Sequence, residues 1–289
     1  MSLRKKAFLT DLRVSMWTAR KYDRDVSLDV EAQYNAKDAG RYNKLLVPKE
    51  EINVLQKIAQ RARAYQYKHT LPWEDGGYRI MLKSFYDEYM REMAKFKEEY
   101  YDAVCQFLER YPLMREQAVE MLGDMYSLRD YPSESALKKK FDFSVSITPI
   151  PDSADSDLRA GMGEVVAREI ETNISDRIQA ATDAAMRNLA MRIFDTVNAM
   201  VDRLSAIDAK FKNSLIGNVR DLCDVFPHLN VAGDPKLNDL IEEVRYKLAT
   251  QDPETLRNDA DTRYRAANEA RTILDKVREY LPRGEEDER

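Results

Sequence analysis

The sequence predicts a mainly α-helical protein, built as an elongated helical bundle or long antiparallel helical hairpin with a small two-stranded antiparallel β element. Charged residues make up 34% and hydrophobic residues 44% of the 289-residue chain, which has only nine glycines. No proline occurs between Pro151 and Pro227, and no glycine between Gly163 and Gly217. A chain so charged and so poor in helix breakers is typical of long helices that face water.

The strongest helical signal runs from about residue 155 to Phe226. Its apolar residues recur at steps of three and four, which is the spacing of one helix face. The stripe consists of Leu189, Ile193, Val197, Met200, Leu204, Ile207, Phe211, Leu215, Val219, Leu222 and Phe226. The steps average about 3.7 residues, which favours a nearly straight bundle helix over a tight left-handed coiled coil. A continuous helix of this length extends about 105 Å, which implies an elongated helical protein, a partner helix along it, or both.

Two further helices are expected to fold back along this long helix as an antiparallel hairpin. Asp234-Pro235 and Asp252-Pro253 each combine an N-cap residue with proline at the first helical position, which is a strong start signal. The sequence therefore predicts two domains. They are a helical domain of residues 1–150 with two paired strands, and a long-helix hairpin of residues 151–289 that sets about 155–226 against 235–281.

Two stretches, at about 11–18 and 141–149, alternate apolar and polar residues as half-buried strands do. Their apolar residues are Leu12, Val14 and Met16 in the first, and Phe141, Phe143, Val145 and Ile147 in the second. An isolated strand leaves its backbone groups unsatisfied, so the two are expected to pair with each other. The alternative is that one of them pairs with a strand of another subunit.

Five helices are predicted in the first domain, at about 22–34, 48–67, 78–110, 114–126 and 133–140. Pro112 separates the third from the fourth because proline disrupts a helix interior. Ser133 is the expected N-cap of the fifth. The segment between 70 and 77 is interpreted as a helix break whose tryptophan needs a packing partner.

Two features of these helices allow both a structural and a functional interpretation. The aromatic and methionine stripe from Phe85 to Phe107 is more typical of a helix–helix core than of a base-stacking surface. The lysines at 138–140 more often complement the negative end of a helix dipole than bind phosphate.

No motif for a common catalytic or metal chemistry occurs in the sequence. A zinc site needs a cluster of cysteine or histidine ligands, whereas Cys105, Cys223, His69 and His228 lie far apart. The glycines are scattered and form no phosphate-binding loop. A lone histidine in a loop more often makes structural hydrogen bonds than acts as a base. We therefore expect a non-enzymatic protein with no catalytic residue, cofactor or metal.

The cysteines and the hydropathy pattern predict a cytoplasmic protein. Both cysteines lie among apolar residues, which is typical of buried thiols in a reducing compartment. No apolar run is long enough to span a membrane, and the apolar part of the basic N-terminus is too short for a signal peptide.

Charge is distributed unevenly along the chain. Residues 1–70 carry 15 lysines and arginines against 8 acidic residues, or +7, although the whole chain carries −5. This end can approach an anionic partner such as nucleic acid, although a basic surface alone is the simpler interpretation. Loops near the N-terminal half of the chain contain arginines and aromatic residues, which interfaces favour. The candidate partner-binding residues are Trp17, Arg20, Lys21, Arg41, Tyr42, Lys44, His69, Trp73 and Arg79.

Six segments resemble an uncharacterised family of proteins from tailed phages, prophages and integrative elements. They are WTARKYD (17–23), DAGRYNKLLVPKE (38–50), TLPWEDGGYRI (70–80), DYPS (130–133), KFDFSVSITPIPDSAD (140–155) and LNVAGDPKL (229–237). Similar genes often lie near recombination functions and near AAA+ ATPases. The resemblance therefore implies a phage accessory protein in the host cytoplasm that acts in a complex, with an AAA+ ATPase as a candidate partner. It attaches no catalytic role to these segments.

The leading functional hypothesis is a non-enzymatic helical scaffold or adaptor that forms a homo-oligomer or binds a protein partner. A first alternative is a nucleic-acid-associated protein of phage replication or recombination, which would contact phosphates through the basic N-terminal region. A second alternative is an inhibitor of a host defence or nuclease complex.

Overall fold

The computed structural model describes residues 3–74, 77–151, 163–206 and 210–281. About 70% of the chain is helical, with ten α-helices and a small antiparallel sheet in these ranges. The predicted class, mainly α with a small antiparallel β element, is confirmed at this level. The contacts divide the chain into two compact units. The ribbon unit comprises residues 12–66 and 88–146, and the long-helix unit comprises the described residues of 1–11, 67–87 and 147–289.

Helices and strands are numbered in chain order. The helices are α1 (Leu3–Lys6), α2 (Arg24–Tyr34), α3 (Lys49–His69), α4 (Tyr86–Leu122), α5 (Glu134–Lys138), α6 (Glu164–Ser205), α7 (Ser214–Val225), α8 (Pro235–Val244), α9 (Pro253–Asn258) and α10 (Ala260–Arg278). The strands are β1 (Ala7–Ser15), β2 (Arg20–Tyr22), β3 (Asn43–Leu45), β4 (Leu71–Pro72), β5 (Arg79–Leu82) and β6 (Asp142–Pro149). A π-helical turn, Arg245–Ala249, follows α8.

Three helices begin at the N-cap residues that the sequence indicates. Ser133 accepts a hydrogen bond from the N–H of Ala136 at 3.3 Å, at the start of α5. Asp234 begins α8, and Asp252 begins α9 by accepting a hydrogen bond from the N–H of Thr255 at 2.7 Å. Such caps satisfy backbone donors that the first helical turn leaves open, and they need only neighbouring residues.

The main sheet has four strands in the order β4-β5-β1-β6. β1 and β6 correspond to the segments predicted as strands, and they are neighbours. β5 pairs antiparallel with β1, where Leu82 lies opposite Ala7, and with β4, where Ile80 lies opposite Leu71. The β element is therefore larger than the predicted two strands. β4 and β5 are too short to display a strand period, and burial of Leu71 and Ile80 stabilises them instead.

Helix α4 runs through Pro112, so the predicted division into two helices is wrong. Its aromatic face is buried on both sides of the proline, at Phe107, Tyr111 and Met114. The Tyr111 hydroxyl also donates a hydrogen bond to the carbonyl oxygen of Pro132 at 2.9 Å. Packing of this face therefore holds the helix together across a residue that lacks an N–H donor. The part of the aromatic stripe from Tyr89 to Phe107 belongs to the ribbon unit, whereas Phe85 belongs to the long-helix unit.

The long helix predicted from about residue 155 to Phe226 is interrupted. Helix α6 ends at Ser205, Ala206 is extended with φ −68° and ψ 139°, and α7 begins at Ser214. With 42 residues, α6 is about 63 Å long instead of the predicted 105 Å. The part of the prediction before residue 163 lies outside the described residues.

Arg257 of α9 stabilises the interruption between α6 and α7. Its Nη1 donates to the carbonyl oxygen of Phe211 at 3.2 Å and to Asn213 Oδ1 at 2.8 Å. The guanidinium carbon lies 5.6 Å from the centre of the Phe211 ring. A carbonyl group outside a helix has no helical N–H donor and needs another hydrogen-bond donor. Arg257 supplies this donor to Phe211 from a distant part of the chain. No proline or glycine marks the break in the sequence.

Helix α10 packs along the C-terminal part of α6 in the antiparallel direction. Arg271 Nη2 lies 2.7 Å from Ser205 Oγ, and the Arg278 guanidinium lies 5.9 Å from the centre of the Phe194 ring. The stripe residues Leu189, Ile193, Val197, Met200 and Leu204 are all buried. They belong to the hydrophobic core of the long-helix unit, together with residues of α7, α8 and α10.

Two further sequence predictions concern membrane-spanning helices and the burial of the cysteines. Within the described ranges, no helix combines the length and apolar character that crossing a membrane requires. Cys223 is buried as expected, whereas Cys105 is exposed. The prediction for Cys105 is wrong because the residue lies on α4 away from the buried face formed by Tyr100, Val104 and Phe107.

Candidate functional site

The candidate site is the β2–β3 ribbon, the antiparallel pair of β2 and β3 in the ribbon unit. Arg20, Lys21 and Tyr22 lie opposite Leu45, Lys44 and Asn43, respectively. All three side chains of β2 are exposed, whereas β3 has one buried and one half-buried side chain. Among the described residues, the two strands have no other strand beside them. β2 is therefore the exposed edge of a two-stranded sheet.

Two flanking hydrogen bonds determine which backbone groups of the ribbon point outward. The N–H of Asp23 donates to the carbonyl oxygen of Tyr42 at 3.0 Å, and the N–H of Leu46 donates to that of Ala19 at 2.8 Å. Bonded and non-bonded residue pairs alternate along an antiparallel ladder. The N–H and C=O groups of the first and last residues of β2 therefore point away from β3.

The chain enters β2 through a residue with a left-handed backbone. Ala19 has φ 52°, and its side chain is 1% exposed. A non-glycine residue in this region costs about 1–2 kcal/mol, so the surrounding packing must hold it. The entry to the ribbon is consequently a fixed bend.

Lys44 anchors the ribbon through a buried ion-pair cluster, which we call the lysine triad: Lys44, Asp23 and Asp130. The Lys44 Nζ lies 3.0 Å from Oδ2 of each aspartate and donates to the carbonyl oxygen of Met125 at 2.7 Å. The three side chains are only 7%, 13% and 15% exposed, in that order. Burial alone would lower the pKa of Lys44, but the hydrogen bonds to Asp130 and Asp23 outweigh burial and raise it. The hydrogen bond from Lys44, helped by the N–H of Val26, lowers the pKa of Asp23.

Helix α2 is attached to the ribbon by the same aspartate. Asp23 is the N-cap of α2 and accepts from the N–H of Val26 at 3.2 Å. Ser27 donates from its hydroxyl to the carbonyl oxygen of Asp23 at 2.6 Å and accepts from the N–H of Tyr42 at 3.0 Å. Asp23 therefore caps the first turn of α2 and also binds Lys44 of β3, which joins this helix to the lysine triad.

Four of the candidate partner-binding residues lie on the surface of the ribbon unit: Arg20, Lys21, Arg41 and Tyr42. The Arg41 guanidinium lies 5.8 Å from the centre of the Tyr22 ring, at a cation–π distance. These side chains form an exposed basic and aromatic surface.

Two other candidates of this unit are buried. Trp17 packs edge-on against Phe107 and Tyr111, with ring centres 6.3 Å and 5.8 Å away. Lys44 is held in the triad. In this structure both residues support the ribbon from the core and leave the surface to their neighbours.

The three remaining candidates lie in the long-helix unit. His69 stacks on the buried ring of Phe85, with 5.0 Å between ring centres. The other histidine of the chain, His228, also lies against Phe85 at 4.3 Å. Trp73 is buried, as its predicted need for a packing partner requires.

Arg79 is the third of these candidates, and it donates hydrogen bonds to Thr70. Its Nε donates to Thr70 Oγ1 at 2.7 Å, and its Nη2 donates to the carbonyl oxygen of the same residue at 2.9 Å. The guanidinium lies 4.4 Å from the centre of the Tyr67 ring. Arg79 therefore links β5 to the end of α3.

The predicted set of partner-binding residues omits four exposed apolar or aromatic residues of β2 and α2. They are Tyr22, Leu28, Val30 and Tyr34, of which Tyr34 is 71% exposed. Val30 and Tyr34 are one helical turn apart on α2. The helical spacing of Val26, Val30 and Tyr34 could have revealed them, but the alternation of valine and leucine across 26–30 obscures that period.

Other site types find little support in the described part of the chain. No group of three or more histidine, cysteine, aspartate or glutamate residues there is placed to hold a metal ion. A pocket of about 290 Å³ in the long-helix unit is lined by Leu204, Ser205, Ala206, Ala260, Arg263, Tyr264, Ala267 and Arg271. Its two arginines already donate to protein oxygens, Arg263 to the carbonyl of Leu256 and Arg271 to Ser205.

Fold and surface together define a mainly helical protein that presents a small basic and aromatic ribbon. Residues 5–242 match the model of a family described as Protein of unknown function (DUF3150). This match spans most of the chain, and the chain belongs to that family. The expected membership of an uncharacterised family is thereby confirmed. Comparisons with curated proteins and with solved structures found no match.

Proposed function

We propose that this chain is a non-enzymatic adaptor or scaffold of a protein complex, and that the β2–β3 ribbon binds its protein partner. The observation that carries the proposal is the exposure of Arg20, Lys21 and Tyr22 beside a buried, ion-paired Lys44. Arginine and tyrosine are residues on which interfaces depend most. A ribbon fixed by a buried triad also loses little conformational freedom when it binds.

The long-helix unit supplies the scaffold part of this proposal. Val165 and Val166, in the first turn of α6, are 81% and 50% exposed. Exposed valines at the start of a long helix suit a helix that packs on another chain. We expect a homo-oligomer that dissociates when both valines are changed to aspartate. Sedimentation velocity measures this, and a monomeric unsubstituted chain would remove the oligomer from the proposal.

The biological setting that we propose follows from the sequence motifs. Their resemblance to proteins of phages, prophages and integrative elements supports an accessory role in the host cytoplasm. A neighbouring AAA+ ATPase is the partner that this setting favours.

Cross-linking in cells tests the adaptor function directly. The tagged chain is expressed in a host that also carries the genes that neighbour the gene of this chain. Cross-linked partners are then identified by mass spectrometry. The variant Arg20→Glu/Lys21→Glu is compared with Lys57→Glu/Lys97→Glu, a control with the same charge change at exposed helical lysines of the same unit. The proposal requires a partner that the ribbon variant loses and the control keeps. Equal capture by both variants would contradict it.

Nucleic-acid binding is the second candidate, because the exposed ribbon cations can contact phosphates. Each phosphate contact made by such a cation releases counterions, so the affinity would fall steeply with salt. Fluorescence anisotropy with labelled single-stranded and double-stranded DNA at increasing salt measures this. No binding at low salt would remove this candidate.

A further inference from the structure

We infer that the outer edge of β2 is a docking site for an acidic, extended segment of a partner protein, which adds to the ribbon as a third strand. The inference depends on the proposed adaptor function and specifies the chemistry of the partner.

The first argument is the arrangement of backbone groups. The register and the flanking hydrogen bonds direct the N–H and C=O groups of Arg20 and Tyr22 away from β3. The side chains on both sides of this edge are exposed. An edge strand with such groups is a template for another extended chain, which is a common mode of peptide recognition.

The second argument is that the other edge of the ribbon is not equally accessible. Leu45 in β3 is half-buried, and Leu46, which follows it, is buried. The Tyr131 hydroxyl donates to the carbonyl oxygen of Leu46 at 2.8 Å. The packed side of the ribbon is therefore the β3 side, and an incoming strand has access to β2.

Charge selects the acidic class of partner. The exposed strand β2 contains Arg20 and Lys21 and no acidic residue. Lys44 of β3 is buried and neutralised by Asp23 and Asp130, so the exposed positive charge of the ribbon strands comes from the two cations of β2. Arg41 adds a further exposed cation beside Tyr22. Side chains of an added strand would lie directly opposite those of β2, where opposite charges attract and like charges repel.

The backbone geometry favours a peptide over a nucleic acid. The β2 edge alternates donors and acceptors, which a second peptide edge satisfies in full. Phosphate oxygens are acceptors only, so they leave the outward C=O groups of Arg20 and Tyr22 without a donor. The phosphate backbone of a nucleic acid could therefore satisfy the cations and the outward N–H groups of the ribbon, but not its outward C=O groups.

Backbone N-methylation of a peptide probe separates strand addition from simple charge attraction. The probe is a fluorescein-labelled peptide of alternating valine and glutamate. One version is N-methylated at every residue and another only at every second residue. Alternate amides of a strand point to opposite edges, so the second version keeps one free edge that can pair with β2, whereas the first has none. Affinity for the full chain is measured by fluorescence anisotropy at low salt.

We expect the unmodified peptide to bind and the fully N-methylated version to bind at least about tenfold more weakly, while the version methylated at every second residue resembles the parent. A lysine and valine peptide should not bind. Arg20→Glu/Lys21→Glu should weaken the parent peptide by at least about tenfold, whereas Lys57→Glu/Lys97→Glu should not. Circular dichroism confirms that both variants fold.

Three outcomes would overturn the inference. The first is that the glutamate peptide fails to bind, and the second is that the two N-methylated versions bind equally well. The third is that single-stranded DNA displaces the peptide while N-methylation leaves the affinity of the peptide unchanged. The cross-linking result then separates the two proposals. If Arg20→Glu/Lys21→Glu loses a protein partner while N-methylation does not change the affinity of the peptide, the adaptor function stands and strand addition fails. If this variant keeps both its cross-linked partners and its affinity for the peptide, both proposals fail.

Discussion

Replacing Lys44 by methionine tests whether the lysine triad stabilises the ribbon unit. Methionine keeps most of the length of the side chain but removes the ammonium, which leaves Asp23 and Asp130 buried without their cation. Removing one member of a buried ion pair typically costs about 3–5 kcal/mol. Because both aspartates keep some access to water, at 13% and 15% exposure, the cost should fall below this range, at about 1–3 kcal/mol.

Urea unfolding followed by circular dichroism measures this loss at neutral pH. The matched control is Lys57→Met, which changes an exposed lysine of α3 and should alter stability by less than about 0.5 kcal/mol. A Lys44→Met variant as stable as the control would refute the reasoning. It would mean that desolvation of the three charges cancels the energy of their pairing.

The dependence of stability on pH checks the same triad with a defined sign. The pKa of Asp23 is lowered in the fold, so its stabilising contribution is present above about pH 4 and is lost as pH falls through the lowered value. The pKa of Lys44 is raised, so its contribution is present below about pH 10.4 and is lost as pH rises through the raised value. In Lys44→Met both dependences should become weaker, and slopes equal to those of the unsubstituted chain would contradict the assignment.

Three further substitutions test other parts of the fold. Phe85→Ala removes a ring that is 1% exposed and lies against both histidines, and should cost about 3–5 kcal/mol in urea unfolding. Arg257→Met removes the donor to Phe211 and Asn213, and should cost about 1.5–3 kcal/mol while hydrogen exchange at the start of α7 accelerates. Pro112→Ala, at an exposed position inside α4, should raise the melting temperature, since proline is about 3 kcal/mol less favourable than alanine in a helix interior. Unchanged stability in any of the three variants, or unchanged hydrogen exchange in Arg257→Met, would contradict the role assigned to that residue.

Part of the fold could be predicted because its causes are local. The caps at Ser133, Asp234 and Asp252 act within three residues, and each begins a helix as expected. Helical period likewise identified the buried stripe of α6 and the core face of α4. These features depend on neighbours in the sequence, so a single sequence displays them.

The candidate site could be predicted only in part. Arginine and aromatic content indicated the surface that carries Arg20, Lys21, Arg41 and Tyr42, but composition did not distinguish exposed residues from buried ones. Lys44 is the clearest case, since its burial depends on Asp130, which is far away in the chain. The proposed domain division at residue 150 stays a prediction.

What the sequence by itself determined is the helical class, the starts of helices and the apolar faces, because backbone propensity and side-chain period act over one or two turns. Tertiary structure alone decided where the long helix stops, whether α4 survives its proline, and which strand of the ribbon faces solvent. Each of those outcomes depends on residues that are distant in the sequence: Arg257 at the helix break, Trp17 and Pro132 against the aromatic face around Pro112, and Asp130 at Lys44. The energy of such contacts exists only after the chain has folded, and no local pattern encodes it.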